Sequence, residues 1–241
     1  MTRRRFFAPP SAFNFGKRSV MLAADEARHL REVLRLKPGD EVSVFDGAGK
    51  EFRARVVQAR RDFAELELED EIAPARPESP LRLTLAVALL KGEKFDLVVQ
   101  KATELGVYQI VPLITRYADI KLRDAADASK RVARWQRIAL EAAKQSGRGW
   151  VPEVSDPQTL GSVLRSACVV FSEKGGRGLT QIDSHEVTAI VGSEGGWSDE
   201  ELEQARAAGA QIVTLGGRIL RAETAAITAA ALLQHRFGDL K

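Results

Sequence analysis

The chain has 241 residues, of which 44% are apolar and 29% charged, and its formal net charge is +3. This length allows one large domain or two modest ones, and the apolar content excludes an intrinsically disordered chain. No run approaches the roughly 18–20 apolar residues that span a bilayer. The basic start MTRRRFF lacks the apolar segment of a signal peptide. We therefore expect a cytoplasmic protein that has no membrane segment.

Metal and disulfide chemistry are not expected. The single cysteine, Cys168, excludes an internal disulfide and a cysteine-cluster metal site. It precedes an apolar VVF run and is predicted to be a small buried residue. The histidines lack metal-ligand spacing and are predicted to be structural or exposed: His29, His185 and His235.

The N-terminal segment is basic and aromatic. Its first 24 residues contain no acid but five basic residues, Arg3, Arg4, Arg5, Lys17 and Arg18, interleaved with Phe6, Phe7, Phe13 and Phe15. Basic side chains can meet phosphates, and aromatic rings can stack on unpaired bases. The alternative is a basic edge strand whose phenylalanines enter a core, and composition alone favours this alternative.

Residues 19–70 show mainly β patterns. Strands are predicted at SVML, EVSVFD, KEFRARVVQ and FAELELED, with a helix at AADEARHLREVL and a turn at KPGD. Short strands with tight turns and one helix indicate a small barrel. The proline-rich stretch that follows reads as a linker. We therefore predict a first domain at 1–73, a linker at 74–80 and a second domain at 81–241.

The second domain is predicted to be α/β. Strands are expected at LRLTLAVALL, VYQIVPLI, SACVVFS, VTAIVG and QIVTL, with helices at FDLVVQKATELG and DASKRVARWQRIALEAAKQS between them. Gly106 is a plausible cap for the first of these helices. Alternating strands and helices indicate a largely parallel sheet with helices on both sides.

A first glycine-rich loop, SEGGW, follows the strand VTAIVG. Ser198 and Glu201 have capping-box spacing, so a helix is predicted to start there. Paired glycines let the backbone approach a ligand closely. Glu194 and the acids of the next turn disfavour a polyanion and suit a neutral or cationic ligand. S-adenosylmethionine, with its sulfonium and adenosine, fits that description, and a tight turn without ligand is the alternative.

A second glycine-rich loop, LGGRILR, leads into AETA and an alanine-rich helix. The small residues of that helix indicate close packing against another helix or a second subunit. Arg218 and Arg221 flank an apolar Ile219–Leu220 pair on the loop. Solvated surface charge is the alternative interpretation of these arginines.

The motifs RRRFF, HLREVLRLKPGDEV, KGEKFDLVVQKATELGV, RWQRIALEAAKQSGRGWVPEV, VGSEGG and LGGRILRAETA occur in the order typical of one family. Together they resemble the RsmE family of SPOUT methyltransferases, which methylate N3 of a uridine in bacterial 16S rRNA. The resemblance implies an N-terminal PUA-like RNA-binding β-barrel and a C-terminal SPOUT α/β domain with a deep trefoil knot. It further implies S-adenosylmethionine as cofactor, a homodimer, and 16S rRNA of the small ribosomal subunit as partner.

The resemblance also implies site residues. Cofactor contacts are expected from Phe171, Gly192, Glu194, Gly195, Gly196, Leu215, Gly216, Ile219, Leu220 and Thr224. RNA contacts are expected from Arg3, Arg4, Arg5, Arg31, Arg35, Lys91, Lys94, Arg116 and Arg148. Two positions depart from the family pattern. Ser193 replaces a proline of the first loop, and Tyr117-Ala118 follows Arg116 where the family carries Ser-Val, so no role of that serine transfers.

Methylation at N3 of uridine requires loss of the N3 proton and stabilisation of charge on the uracil oxygens, in a base that is unpaired. Arg221 is the first candidate for this stabilisation and Arg5 the second. Glu223 is a candidate base or, equally, a helix cap. Two alternatives remain: a SPOUT methyltransferase acting on a tRNA ribose or guanine, and a non-catalytic RNA-binding protein with a degenerate methyltransferase fold.

Overall fold

The computed structural model describes residues 4–165 and 167–241, so Arg3, predicted to contact RNA, lies outside the described residues. The chain forms two compact units. The first comprises Met1–Glu78 and Ala143–Val151, and the second comprises Ser79–Ala142 and Pro152–Lys241. The sequence pattern gave no sign that 143–151 belongs with the first unit.

The first unit is built on one six-stranded sheet. Its elements are β1 (Arg5–Phe7), β2 (Phe13–Asn14), β3 (Ser19–Leu22), α1 (Ala24–Arg28), β4 (Glu41–Phe45), β5 (Glu51–Ala59) and β6 (Ala64–Ile72). The strand order is β1-β4-β5-β6-β3-β2, and every pairing is antiparallel except that of β1 with β4. The four strands predicted between residues 19 and 70 are confirmed.

The predicted helix between Ala23 and Leu34 is shorter than expected. Helix α1 ends at Arg28, and His29–Val33 form a π-helical turn. Leu30 is fully buried, whereas Val33, which has helical spacing from it, is 68% exposed. A π turn inserts an additional residue into the helical register, which rotates the residues beyond it away from the core.

The basic N-terminal segment supplies an edge strand to the first unit. Strand β1 is the last strand at one end of the sheet, and Phe6 is fully buried in the core. The favoured interpretation, an edge strand whose phenylalanines enter a core, is therefore confirmed for Phe6. Phe15 is instead 62% exposed and stacks on Phe13.

Arg5 is buried in a polar network of the first unit. Its Nε lies 3.1 Å from Oε2 of Glu51, and only 7% of the Arg5 side chain is exposed. Its Nη2 donates to the Arg148 carbonyl at 2.6 Å, and its guanidinium lies 3.7 Å from the centroid of the Phe45 ring. The buried position and these contacts give the Arg5 side chain a structural role within the first unit. We therefore do not carry Arg5 forward as a catalytic or RNA-binding residue.

Replacing Arg5 by alanine is expected to lower the free energy of unfolding by about 3–5 kcal/mol, because it removes the cation beside a buried carboxylate. Urea denaturation measures this loss. Arg4→Ala, at an exposed position next to it, is the control, with an expected change within about 0.5 kcal/mol. If Arg5→Ala kept its stability but lost turnover, Arg5 would be catalytic after all.

The second unit contains a seven-stranded parallel sheet. Its strands are β7 (Arg82–Ala88), β8 (Gln109–Ile114), β9 (Glu153–Val154), β10 (Gln158–Thr159), β11 (Cys168–Phe171), β12 (Glu186–Val191) and β13 (Gln211–Val213). The order is β10-β8-β7-β12-β11-β13, with β9 also paired to β8, and all pairings are parallel. The predicted parallel sheet is confirmed, and Cys168 is buried in it as expected.

Four helices lie wholly in the second unit: α2 (Lys94–Glu104), α4 (Leu160–Val163), α5 (Asp199–Ala207) and α6 (Ala222–Phe237). Helix α3 (Ala125–Ser146) begins in the second unit and ends within the segment 143–151, which belongs to the first unit. The alanine-rich α6 packs on α2, β7 and β12. Ala226, Ala229 and Ala230 are fully buried there. Their small size is thus explained by packing within one chain, since Ala side chains let helix and sheet backbones approach closely.

Candidate functional site

Three loops of the second unit meet at one edge of its sheet. Strands β12, β11 and β13 are parallel neighbours, so the segments that follow them emerge side by side. These segments surround a cavity of about 390 Å³. In open α/β sheets the carboxyl ends of parallel strands are the usual position of ligand sites. The cavity is therefore the candidate site.

The first glycine loop forms a tight turn between β12 and α5. The Gly196 amide donates to the Ser193 carbonyl at 3.0 Å, and Gly196 has φ +72°. A left-handed residue closes this turn, which glycine does without strain. The predicted capping box follows it: the Glu201 amide donates to Ser198 Oγ, and the Ser198 amide donates to Glu201. The turn and the start of α5 are thus as predicted.

Two other contacts hold this loop in place. Trp197 donates through Nε1 to the Phe171 carbonyl at the end of β11, at 2.9 Å. A Cβ on Gly195 would lie 2.7 Å from Cβ of Tyr117 and 2.9 Å from its carbonyl oxygen. Only glycine can occupy position 195 while the Tyr117 segment lies this close. Gly195 therefore allows the loop to pack closely against the Tyr117 segment.

The second glycine loop, Thr214–Arg221, joins β13 to α6. Ile219 on this loop is 83% exposed, the highest value among the large apolar residues described as exposed. Arg221 is the N-cap residue of α6, and its carbonyl accepts from the Ala225 amide at 2.8 Å. Since an exposed isoleucine beside an open cavity has no apolar cover within the unit, a bound ligand would supply one.

A third wall, after β11, was largely missed by sequence analysis, which selected only Phe171. Ser172 and Glu173 also line the cavity. The Glu173 carboxylate lies 3.6 Å from where a Cβ on Gly196 would be. A glycine pair, Gly175-Gly176, follows this segment, but it was not selected from the sequence. The available signal was topological: β11 pairs with both β12 and β13, so its end belongs at the same edge.

Most residues predicted to contact the cofactor are brought together. The cavity is lined by Phe171, Gly192, Glu194, Gly196, Leu215, Gly216, Ile219 and Leu220, together with Arg221, Trp197 and Thr214. Gly195 and Thr224 do not appear in the described lining. Thr224 is exposed in the first turn of α6. Both predicted glycine loops thus line the cavity, whereas Gly195 and Thr224 are not among its described lining residues.

Lys94 forms a small charge cluster with two acids of the site. Its Nζ lies 2.7 Å from Glu194 Oε1 and 3.8 Å from Glu223 Oε2. The hydrogen bond with Glu194 raises the pKa of the Lys94 ammonium above its ordinary value, and both acid charges add to this shift. Burial and the charge of Arg221 oppose it. Glu223 is thus engaged by Lys94, and it caps neither α6 nor, in the described contacts, any other helix.

The other predicted RNA contacts divide between the units. In the first unit, Arg4, Arg31 and Arg35 are at least partly exposed, whereas Arg148 is 5% exposed and pairs with Glu78 at 2.7 Å. In the second unit, Lys91 pairs with Asp119 at 2.7 Å and Arg116 with Glu200 at 2.9 Å. The buried pairing of Arg148 indicates a structural role, so we leave it out of the RNA contacts that we propose.

The cavity suits S-adenosylmethionine. Its volume falls within the range of about 300–1,000 Å³ that holds small molecules. Apolar Phe171, Leu220 and the exposed Ile219 can cover an adenosine, and Glu173 and Glu194 supply negative charge for a sulfonium. Glycines allow close backbone approach on two sides. The residues present therefore fit this cofactor.

Comparison with known proteins agrees with this interpretation. Residues 77–234 match the RNA methyltransferase domain, and residues 22–69 match the RNA methyltransferase PUA domain. Ribosomal RNA small subunit methyltransferase E of Synechocystis sp. is 36% identical over 225 residues, which cover 88% of this chain and 72% of that protein. The chain belongs to the ribosomal RNA small subunit methyltransferase E family.

Two solved structures extend the match to the whole chain. The crystal structure of ribosomal RNA small subunit methyltransferase E from Neisseria gonorrhoeae, bound to S-adenosylmethionine, is 36% identical with a TM-score of 0.87, and the match covers 99% of this chain and 100% of that one. A putative methyltransferase of Legionella pneumophila, also in complex with that cofactor, is 31% identical with a TM-score of 0.88 over 100% of both chains. The resemblance to the RsmE family is confirmed.

Within the described residues, none of the helices is long and apolar enough to cross a membrane. No group of three or more His, Cys, Asp or Glu side chains is arranged to hold a metal ion within residues 4–165 and 167–241.

Proposed function

We propose that this protein transfers a methyl group from S-adenosylmethionine to N3 of a uridine in 16S rRNA of the small ribosomal subunit. The observation that carries the proposal is the cavity at the ends of β11, β12 and β13, where two glycine loops, apolar cover and two acids meet. The two cofactor-bound relatives support the cofactor. The names of the curated relatives support the ribosomal substrate.

In this proposal the protein binds and orients, and the cofactor supplies an electrophilic methyl group when bound. Backbone of the first loop around Gly196 approaches the cofactor, while Ile219 and Leu220 cover its adenosine. Arg221, which lines the cavity and is exposed, donates hydrogen bonds to a uracil oxygen while the N3 proton passes to solvent and N3 takes the methyl group, which leaves S-adenosylhomocysteine. Arginine keeps its own proton throughout, so it stabilises charge without taking part in proton transfer.

The RNA contacts that we propose are five of the predicted basic residues that are exposed or partly exposed. In the first unit they are Arg4, Arg31 and Arg35, and in the second Lys91 and Arg116. Phosphate contacts of this kind make binding depend on salt but carry no base specificity. The target base must be unpaired or drawn from its stack, since N3 is blocked inside a base pair.

The finer architecture belongs to the same proposal: a trefoil knot in the SPOUT domain, closure of the first unit's sheet into a PUA-like barrel, and a homodimer. A partly exposed apolar strip on α6 that includes Ile227, Ala231 and Leu232 is available to a second subunit, because the opposite small face is already buried. Sedimentation velocity at micromolar concentration should return a dimer, and a monomer would remove this part of the proposal.

The deciding experiment uses labelled S-adenosylmethionine and small ribosomal subunits that lack base methylation. We expect label in 3-methyluridine after digestion of the 16S rRNA. Label in a ribose or guanine, or in tRNA only, would indicate another RNA methyltransferase. Absence of both cofactor binding and transfer would indicate a non-catalytic RNA-binding protein.

A further inference from the structure

Lys94 joins the two segments that flank the cofactor cavity. It lies in the first turn of α2, where it bonds Glu194 of the first glycine loop and lies near Glu223 of the first turn of α6. The Lys94 side chain is 31% exposed, that of Glu194 29% and that of Glu223 13%. The three side chains are therefore partly withdrawn from water. Interactions between their charges are screened less than those between fully exposed charges.

The position of Lys94 is not favoured by its own helix. The first turn of a helix carries partial positive charge, which disfavours a lysine there. The two carboxylates outweigh this effect, since the pKa of the Lys94 ammonium is raised, mainly by its hydrogen bond to Glu194. The acids, rather than the helix, thus account for a lysine at this point.

Arg221 lines the cavity together with Glu194 and is the N-cap residue of α6, two positions before Glu223. Its positive charge lowers the pKa of Lys94, opposing the acids. The guanidinium nevertheless makes no hydrogen bond or ion pair with any residue that the structure describes. Oε2 of Glu223 is buried and has no hydrogen-bond partner among the described atoms. A carboxylate that has lost its lysine partner would form a strong charge-assisted pair with a guanidinium that can reach it.

We propose that Lys94 is a positioning residue that occupies Glu194 and Glu223 and thereby keeps the guanidinium of Arg221 unpaired. This replaces the expectation that Lys94 contacts RNA. The inference rests on the proposed function for its biological meaning, since a free Arg221 matters only if it acts on a substrate. The pairing state of Arg221 is, however, a property of the protein alone and can be measured without cofactor or RNA.

The test is the reactivity of Arg221 in cofactor-free protein toward phenylglyoxal, which modifies unpaired arginines, read by peptide mass spectrometry. Arg218, exposed on the same loop, is the internal reference. We expect Lys94→Met to slow modification of Arg221 about 10-fold relative to Arg218, as one new charge-assisted hydrogen bond forms. Adding Glu223→Gln to Lys94→Met should restore the rate to within about 2-fold of wild type, because the neutral amide no longer attracts Arg221 strongly.

Lys91→Met is the matched control, because this lysine of the same KGEK motif pairs with Asp119 and not with the cluster. It should leave Arg221 reactivity unchanged. An unchanged rate in folded Lys94→Met overturns the proposal, as does a double variant that stays slow. Lys94→Gln provides the same test should the methionine variant fail to fold.

Methyl transfer supplies the second readout. Single-turnover transfer should slow in Lys94→Met and recover partly in the double variant. If the wild type transfers no methyl group while Arg221 still becomes protected in Lys94→Met, the positioning role stands and the proposed function fails. Lys94→Met could instead change only RNA binding, with the slope of log affinity against log salt concentration reduced by roughly one. In that case Lys94 contacts a phosphate and the inference is wrong.

Discussion

Replacing Gly196 by valine is expected to abolish binding of S-adenosylmethionine while the protein remains folded. Gly196 has φ +72°, a conformation that a β-branched residue adopts only under strain. Space is not the obstacle, because the nearest atom to an added Cβ is Glu173 Oε1 at 3.6 Å. The backbone must instead rearrange, which breaks the bond from the Gly196 amide to the Ser193 carbonyl and moves Glu194 away from the cavity.

The strain itself costs about 1–3 kcal/mol, and the loss of the loop's geometry removes its contacts with the cofactor as well. Calorimetry should therefore show an affinity loss of about 100-fold or more. Gly209→Val is the matched control, since Gly209 has φ +79° with open space around it and lies outside the cavity lining. It should show a similar loss of stability with cofactor affinity unchanged. Wild-type affinity in folded Gly196→Val would contradict the proposed use of this loop.

Local pattern and family resemblance selected the two glycine loops that line the cavity, because each loop directly follows a strand. The glycine turn and the capping box at Ser198 depend on interactions between residues close in sequence, which a sequence displays directly. The parallel sheet was predicted from the alternation of strands and helices, although its strands pair residues that are far apart in sequence. Residues whose role depends on distant partners were harder to predict. The third wall at Ser172 and Glu173 is part of the cavity only because β11 lies between β12 and β13.

Charged residues show the same limit more clearly. A basic N-terminal segment predicts surface charge equally well for Arg4 and Arg5, yet Arg4 is exposed and Arg5 is buried against Glu51. That difference depends on strand β5, 46 residues away in sequence. Lys94 likewise meets Glu194 across 100 residues. Pairing of charges over such distances has no signature in composition or periodicity, so the roles of single arginines and lysines required the structure.

Arg221→Ala is expected to reduce turnover by about 100-fold or more, the scale seen when one donor to a developing oxyanion is removed. Arg221 lines the cavity beside Ile219 and Leu220, and its guanidinium is unpaired within the described structure. Negative charge on the uracil oxygens grows only as the N3 proton leaves, so the arginine acts mainly on the transition state. The affinities for RNA and cofactor should therefore change much less than turnover.

Two further variants separate this role from simple charge. Arg221→Lys should not restore turnover fully, because a point charge lacks the planar fork of the guanidinium. Arg206→Ala removes the same charge from α5, outside the cavity lining, and should leave turnover near that of the wild type.

The rival role for Arg221 is to hold an RNA phosphate. In that case Arg221→Ala would weaken RNA binding and reduce the dependence of RNA affinity on salt concentration. The single-turnover rate at saturating RNA and cofactor would stay nearly intact. That saturated rate decides between the two roles, because only a contact that strengthens during methyl transfer lowers it.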